Sequence, residues 1–303
     1  MDDAPRLVVT LVGGDRGAHM KRQGAGDDTD GRGRMVDQRT LYPASSLDTP
    51  LADQKAPVND LRGIARMRWP WSGSGHGPLP ALLMLLTVVT GTVDAVSYVA
   101  LGHVFVANMT GNVVFLGFAL AGARGLSATA SLAALAAFLI GALSGGRIGA
   151  RLGAHRGHTL RTATATSVTL VGVGVLVAAV AGQPVPQAAR YGLIITLAIA
   201  MGVQNATARR LAVPDLTTTV LTLTLTGIAA DSRAAGGAGG HPARRLISVS
   251  AMLAGALIGA LLVINVDLVL PLAIAAGLLA TTAIAAHLLS ANDPDWARPH
   301  ESA

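Results

Sequence analysis

The chain has no cysteine, and between Pro80 and Ser290 it has neither lysine nor glutamate. The first absence excludes disulfides, thiolate metal sites and cysteine nucleophiles, and it leaves the redox compartment open. The second argues against a soluble domain, which is ordinarily about one quarter charged. Aromatic residues are scarce as well. Four Phe, three Tyr and three Trp in 303 residues would leave a soluble core of this size hard to fill. No histidine cluster has metal-ligand spacing, no paired carboxylates stand ready for acid-base work, and Ser97 has no evident base. Neither an enzyme nor a metal or cofactor is expected on those grounds.

The apolar 51% of the chain is carried by Ala, Leu, Val and Ile, with small residues that let helices approach closely in a bilayer. Apolar runs of spanning length cover about 79–101, 127–147, 163–182, 189–208, 246–265 and 268–289, each near the ~20 residues that a bilayer helix needs. Two further segments, 104–122 and 214–230, are apolar but interrupted. The first carries Asn108, Met109, Thr110, Gly111 and Asn112; the second opens on Pro214 and Asp215 and continues through a series of threonines.

Net charge is +6, yet the arginines sit in the short connections between apolar runs. They read as topology signals rather than as a nucleic-acid surface. Arg62, Arg66 and Arg68 place the start of the first span in the cytoplasm, and the dense Arg147, Arg151, Arg156, Arg161 loop belongs on the same side. Both conditions hold if 104–122 dips into the membrane and returns. The same treatment of 214–230 keeps Arg209, Arg210, Arg233, Arg244 and Arg245 cytoplasmic. The expected fold is therefore an all-α polytopic membrane protein with six full transmembrane helices and two short broken or re-entrant segments. Eight spans are the alternative. The membrane domain covers 78–290 and a short polar tail covers 291–303. Residues 1–77, rich in Asp, Arg, Gly and Pro, form a polar extension without persistent periodicity and are expected to be disordered. A native start at Met67, or a dispensable lead, is the bland explanation for it, and a regulatory tail is the alternative.

The two halves echo each other. Gly91-x-x-Asp94-Ala95 returns as Gly202-x-x-Asn205-Ala206, and a polar break follows each: Asn108-Met109-Thr110 in one half, Asp215-Leu216-Thr217 in the other. A small-residue helix follows each break, with Gly141, Gly145, Gly149 and Gly153 in the first half and Ala251, Gly255 and Gly259 in the second. Three spans per half force the second half to insert upside down, the inverted-repeat plan of secondary transporters.

Candidate binding or coupling residues follow from those breaks. Asp94 lies deep in the first span, where a carboxylate is costly and marks an ion or proton pathway or a buried pair. The bland reading is a turn cap through Ser97. Asn108, Thr110 and Asn112 surround Gly111 in the first break, and Gln204 and Asn205 stand before the second. Pro214 and Asp215 resemble a helix start, so Asp215 suits a cap better than a site. The free N–H groups there, with Thr217, Thr218 and Thr219, would favour an anion. Thr219, Thr222 and Thr226 recur at helical spacing, as do Gly141, Gly145 and Gly149; both series read as packing seams. His103, alone at the turn after the first span, reads as structural.

The stretch Thr90-Gly91-Thr92-Val93-Asp94-Ala95-Val96-Ser97-Tyr98, continuing through Leu101 to Asn112, resembles the YoaK family of bacterial membrane proteins, a family of unknown function. Gly202-Val203-Gln204-Asn205-Ala206 and Thr217-Thr218-Thr219 are similar to its second signature. The resemblance covers about 80–290 and implies a multi-pass membrane protein, with no substrate or reaction to carry over. The expectation is a secondary transporter or facilitator of a small polar solute, an anion among the options, in the bacterial inner membrane with a cytoplasmic amino terminus. A channel and a non-transporting scaffold or sensor are the rivals. Expected partners are the lipid bilayer and the solute, with no nucleic acid; self-association of the bundle stays open.

Overall fold

In the computed structural model, residues 76–152, 155–213, 221–232, 235–237, 242–291 and 294–298 are described. Residues 1–75 of the polar extension, Gly153 and the 214–220 segment lie outside them. Eight α-helices and a single 3-10 turn at Asp295–Ala297 account for the regular structure, with no strand among the described residues.

Six helices are long and apolar enough to cross a bilayer: α1 (Leu79–Ala100), α3 (Ala128–Arg151), α4 (Arg156–Ala181), α5 (Gln187–Leu211), α7 (Pro242–Asn265) and α8 (Val269–Ser290). Two are short: α2 (Met109–Leu120) and α6 (Leu221–Ala230). The protein is thus an all-helical polytopic membrane protein. Several helices overrun the apolar runs at their arginine-bearing ends: α3 continues to Arg151 and α4 begins at Arg156. Hydropathy marks the hydrocarbon thickness, whereas the helix continues through the headgroup layer, where arginine is at home.

Local signals set the ends. Ser127 caps α3 by accepting from the Ala130 N–H at 3.2 Å, satisfying one of the free donors of the first turn. Pro80 sits in the first turn of α1, where its missing N–H has no helical partner to lose. Along the spans, Thr87, Thr90, Thr164, Thr166 and Thr207 bond back to carbonyls four residues earlier, which satisfies their hydroxyls without water.

Glycine contacts give the helix directions. Gly91 lies against the backbone of Met252, Gly255 and Ala256; Gly255 lies against Val88, and Gly259 against Thr92 and Ala95. Positions climb together, so α1 and α7 are parallel. In the same way Gly202 lies against Phe138, Gly141 and Ala142, while Gly141 meets Ile199 and Gly145 meets Val203 and Ala206. Hence α5 and α3 are parallel too. The seam expected at Gly141, Gly145 and Gly149 is real, since Gly149 packs on Arg210. Of the expected threonine series, Thr219 lies outside the described residues and Thr222 and Thr226 are exposed, while Thr224 between them is buried.

These contacts superimpose the two halves. Gly91, Thr92 and Ala95 correspond to Gly202, Val203 and Ala206 by one constant interval, and Gly141 and Gly145 correspond to Gly255 and Gly259 by another. The packing pairs exchange accordingly: α1 with α7 as α5 with α3, α1 with α8 as α5 with α4, and α2 with α3 as α6 with α7.

Antiparallel contacts complete the topology. Gly157 and Arg161 of α4 meet Ser290 and His287 of α8. Arg156 and Ser167 of α4 bond the carbonyls of Leu211 and Ala200 of α5. The start of α4 therefore shares one end of the bundle with the ends of α3, α5 and α8 and the start of α7. Arg147, Arg151, Arg156, Arg161, Arg209, Arg210, Arg244 and Arg245 gather at that end. His76, just before α1, contacts Arg156 there at 3.4 Å, so α1 starts at the arginine-rich end and finishes at the other. The start of α3 is also at that other end, where Thr129 bonds the Tyr191 hydroxyl near the start of α5 at 2.7 Å. The segment containing α2 thus enters and leaves from one end, and α6 lies between α5 and α7 at the opposite end. That is an inverted repeat of three crossing helices and one short helix per half.

Candidate functional site

The return of the chain after α1 builds the site. Gly102 and His103 take positive φ (98° and 57°), turning the backbone down from the helix end. Val106 and Ala107 then donate their N–H groups to Asp94 Oδ1 at 2.9 and 2.8 Å, and the Asn108 side-chain amide donates to Oδ2. Asp94 is six residues short of the end of α1, about 9 Å at the helical rise. The start of α2 is therefore held well inside the bundle by a carboxylate from another helix.

Asp94 is 3% exposed, and its partners are neutral N–H groups. Its side chain does not bond Ser97, which donates to the Asp94 backbone carbonyl at 3.0 Å, and among the described residues it meets no cation, the arginines standing at the helix ends. Asn112, fully buried, clasps Phe105 from both sides: its Oδ1 accepts the Phe105 N–H at 2.9 Å and its amide donates to the Phe105 carbonyl at 2.6 Å. Gly111 leaves room for the Phe105 ring above α2. Phe105 in turn stacks with Tyr98 and Phe115, at ring separations of 5.2 and 5.6 Å. His103 is exposed and touches Tyr98 edge-on. Thr110 is exposed and does not join the Asp94 set.

The second polar set lies where α1 faces α5. The Gln204 amide nitrogen donates to the Leu86 carbonyl at 3.1 Å and to Thr90 Oγ1 at 2.9 Å. Thr90 is the member that sequence reading missed. It is four residues before Asp94, on the same helical face, and that spacing was the available signal. Asn205 corresponds to Asp94 in the second half; it is 8% exposed and donates to the Met201 carbonyl at 3.0 Å. Asp94, Asn108, Thr90 and Gln204 thus form one polar line along α1, while Asn112 serves the loop. Asp215, Thr217, Thr218 and Thr219 lie outside the described residues.

Residues 82–285, most of the chain and the whole of this arrangement, match the family described as a protein of unknown function, DUF1275. The chain belongs to that family. The chain is also similar to the UPF0700 transmembrane protein YoaK of Bacillus subtilis (strain 168), with 34% identity over 156 residues. That match covers 50% of this chain and 65% of the relative, just under two thirds of its length. No solved structure matches. Membership fits a multi-pass membrane protein and leaves the chemistry of the site to be argued from its residues.

Proposed function

We propose that this DUF1275 protein is a secondary transporter or facilitator of a small polar solute, bound near the membrane midplane beside Asp94, Asn108, Thr90 and Gln204. The carrying observation is the return of the chain that puts the start of α2 on Asp94 inside α1. Inverted repeats with broken segments meeting near the midplane are the architecture of alternating-access carriers. Backbone at that depth is tolerated only where protein or a cavity lines it.

Asp94 in this reading couples protons to motion. A protonated carboxyl has less acceptor capacity for the three donors that hold α2, so protonation would loosen the start of α2 from α1. The arginine-rich end is the cytoplasmic one by the positive-inside bias, which puts the start of α1 inside a bacterial inner membrane, with residues 1–77 as a polar extension ahead of the membrane domain. Asn205 and Thr217 to Thr219 would be the second half's contribution, with Asp215 as a cap.

A scaffold reading has one observation in its favour: the side chains of Asp94 and Asn112 bond to the chain's own groups, at backbone N–H and C=O, the Asn108 amide and the Met109 sulfur. Reconstitution decides between them. Purified protein in liposomes is tested for uptake of a panel of labelled amines, amides, polyols and carboxylates, with and without a pH gradient. Uptake of a panel member that is lost in Asp94→Asn supports the carrier; a stable protein that moves none of them supports the scaffold.

A further inference from the structure

Gln204 is 1% exposed, and among the described residues its Oε1 has no hydrogen-bond partner. The orientation of the amide is set by its neighbours. The Thr90 hydroxyl already donates to the Leu86 carbonyl at 2.9 Å, so Thr90 Oγ1 receives one hydrogen of the Gln204 amide and the Leu86 carbonyl the other. Flipping the amide would set Oε1 against the Leu86 carbonyl oxygen, acceptor against acceptor. An acceptor without a donor in a low-dielectric interior costs several kcal/mol, which a donor from outside the chain would recover.

The surroundings say what kind of donor. Four residues beyond Thr90, on the same face of α1, is the Asp94 carboxylate. Among the described residues the arginines lie at the helix ends and bring no positive charge to this level. Another acceptor would meet Gln204 Oε1 and Asp94 with repulsion.

We propose that Gln204 Oε1 is the recognition acceptor of the site, and that the ligand is a neutral or cationic group presenting N–H or O–H, not a carboxylate or another anion. This rests on the transporter reading and narrows it, because the anionic option draws its support from Thr217 to Thr219.

The test uses the full chain in detergent, with melting temperature followed against methylammonium, acetamide and acetate at matched ionic strength. Methylammonium has donors alone, acetamide has both kinds of group, and acetate has acceptors alone. The expected result is a concentration-dependent rise in melting temperature with methylammonium and acetamide but not with acetate. Gln204→Met keeps the side-chain length and removes the acceptor; it should shift the half-maximal concentration upward about tenfold or more, the loss of one good hydrogen bond at ~1.4 kcal/mol per factor of ten.

Stabilisation by acetate alone, or a donor response unchanged in Gln204→Met, overturns the proposal. So does no response to any probe, with Gln204→Met as stable as the parent; the acceptor would then be filled by an ordered water. Should Gln204→Met fail to fold, infrared difference spectra of the parent with 13C-labelled glutamine carbonyls decide. A downshift on adding methylammonium supports the assignment, and an unchanged carbonyl band overturns it. Uptake into liposomes separates the two ideas. Methylammonium binding without uptake removes the transporter and leaves the acceptor site, whereas acetate uptake indifferent to Gln204 keeps the transporter and removes the acceptor site.

Discussion

The Asn108 side-chain amide donates to the Asp94 carboxylate, joining the first residue before α2 to a point in α1 six residues short of its end. The pair holds the re-entrant turn together with the Val106 and Ala107 N–H groups. Its polarity can be exchanged. Asp94→Asn sets an amide against the Asn108 amide, and Asn108→Asp sets two carboxylates together, so each should cost about 1–3 kcal/mol. The double variant, Asp94→Asn with Asn108→Asp, restores one donor and one acceptor. Melting in detergent should show the double variant recovering at least ~1 kcal/mol relative to the sum of the singles. Strictly additive losses would mean that the two side chains are not coupled.

Gly91 and Gly202 occupy corresponding places, each pressed on the backbone of a parallel helix from the opposite half. A methyl group at either site would run into carbonyl oxygens that cannot step aside without moving a whole helix. Gly91→Ala and Gly202→Ala are both expected to destabilise the protein, by about 1–3 kcal/mol or more, and by similar amounts. Gly192, in the same helix as Gly202, has open space around it. Gly192→Ala should be neutral, or stabilising by up to ~1 kcal/mol through helix propensity. A melting series in which all three behave alike would contradict the close helix contacts.

Much of this architecture was legible in the sequence, because membrane helices are written in long apolar runs and the repeat in a pair of short motifs. Gly91-x-x-Asp94 and Gly202-x-x-Asn205 fall in register across the two halves, and the arginines forced α2 to return to the end it came from. The site was only half legible. Thr110 shares a segment with Asn108 and Asn112 but points outward, since neighbours in a helix face different ways. Asn112 satisfies the loop and not the Asp94 carboxylate, and nothing in residue type distinguishes those roles. Thr90 was passed over as one threonine among many, and only the α1 to α5 contact with Gln204 singles it out.

Arg156 reaches from the start of α4 to the last carbonyl of α5, with Nη2 donating to the Leu211 oxygen at 2.6 Å. It is 9% exposed, so the bond is shielded, and it ends a helix whose C-cap, Ala212, is left-handed without being glycine. Arg156→Gln should lose about 1.5–3 kcal/mol, the range for a hydrogen bond to a charged group. Faster hydrogen exchange should appear at the end of α5, with the middle of α5 unchanged. Exchange rising uniformly along α5, or not at all, would argue that Arg156 does not hold this end.

The cysteine-free chain makes the topology directly testable. His103 and Arg124 flank α2 and are exposed, as are Arg151 and Arg210 at the arginine-rich end. Single cysteines at these four positions, labelled in intact cells with a membrane-impermeant thiol reagent, should fall into two classes. Positions 103 and 124 should label together and positions 151 and 210 should be protected together, because α2 is 12 residues long, about 18 Å at 1.5 Å per residue, against a ~30 Å hydrocarbon core. Labelling at 103 with protection at 124 would mean that the 104–122 segment crosses the membrane. The first half would then contain four spans, α4 would start at the end opposite to the start of α1, and the contact of Arg156 with His76 would have to be abandoned with the inverted repeat.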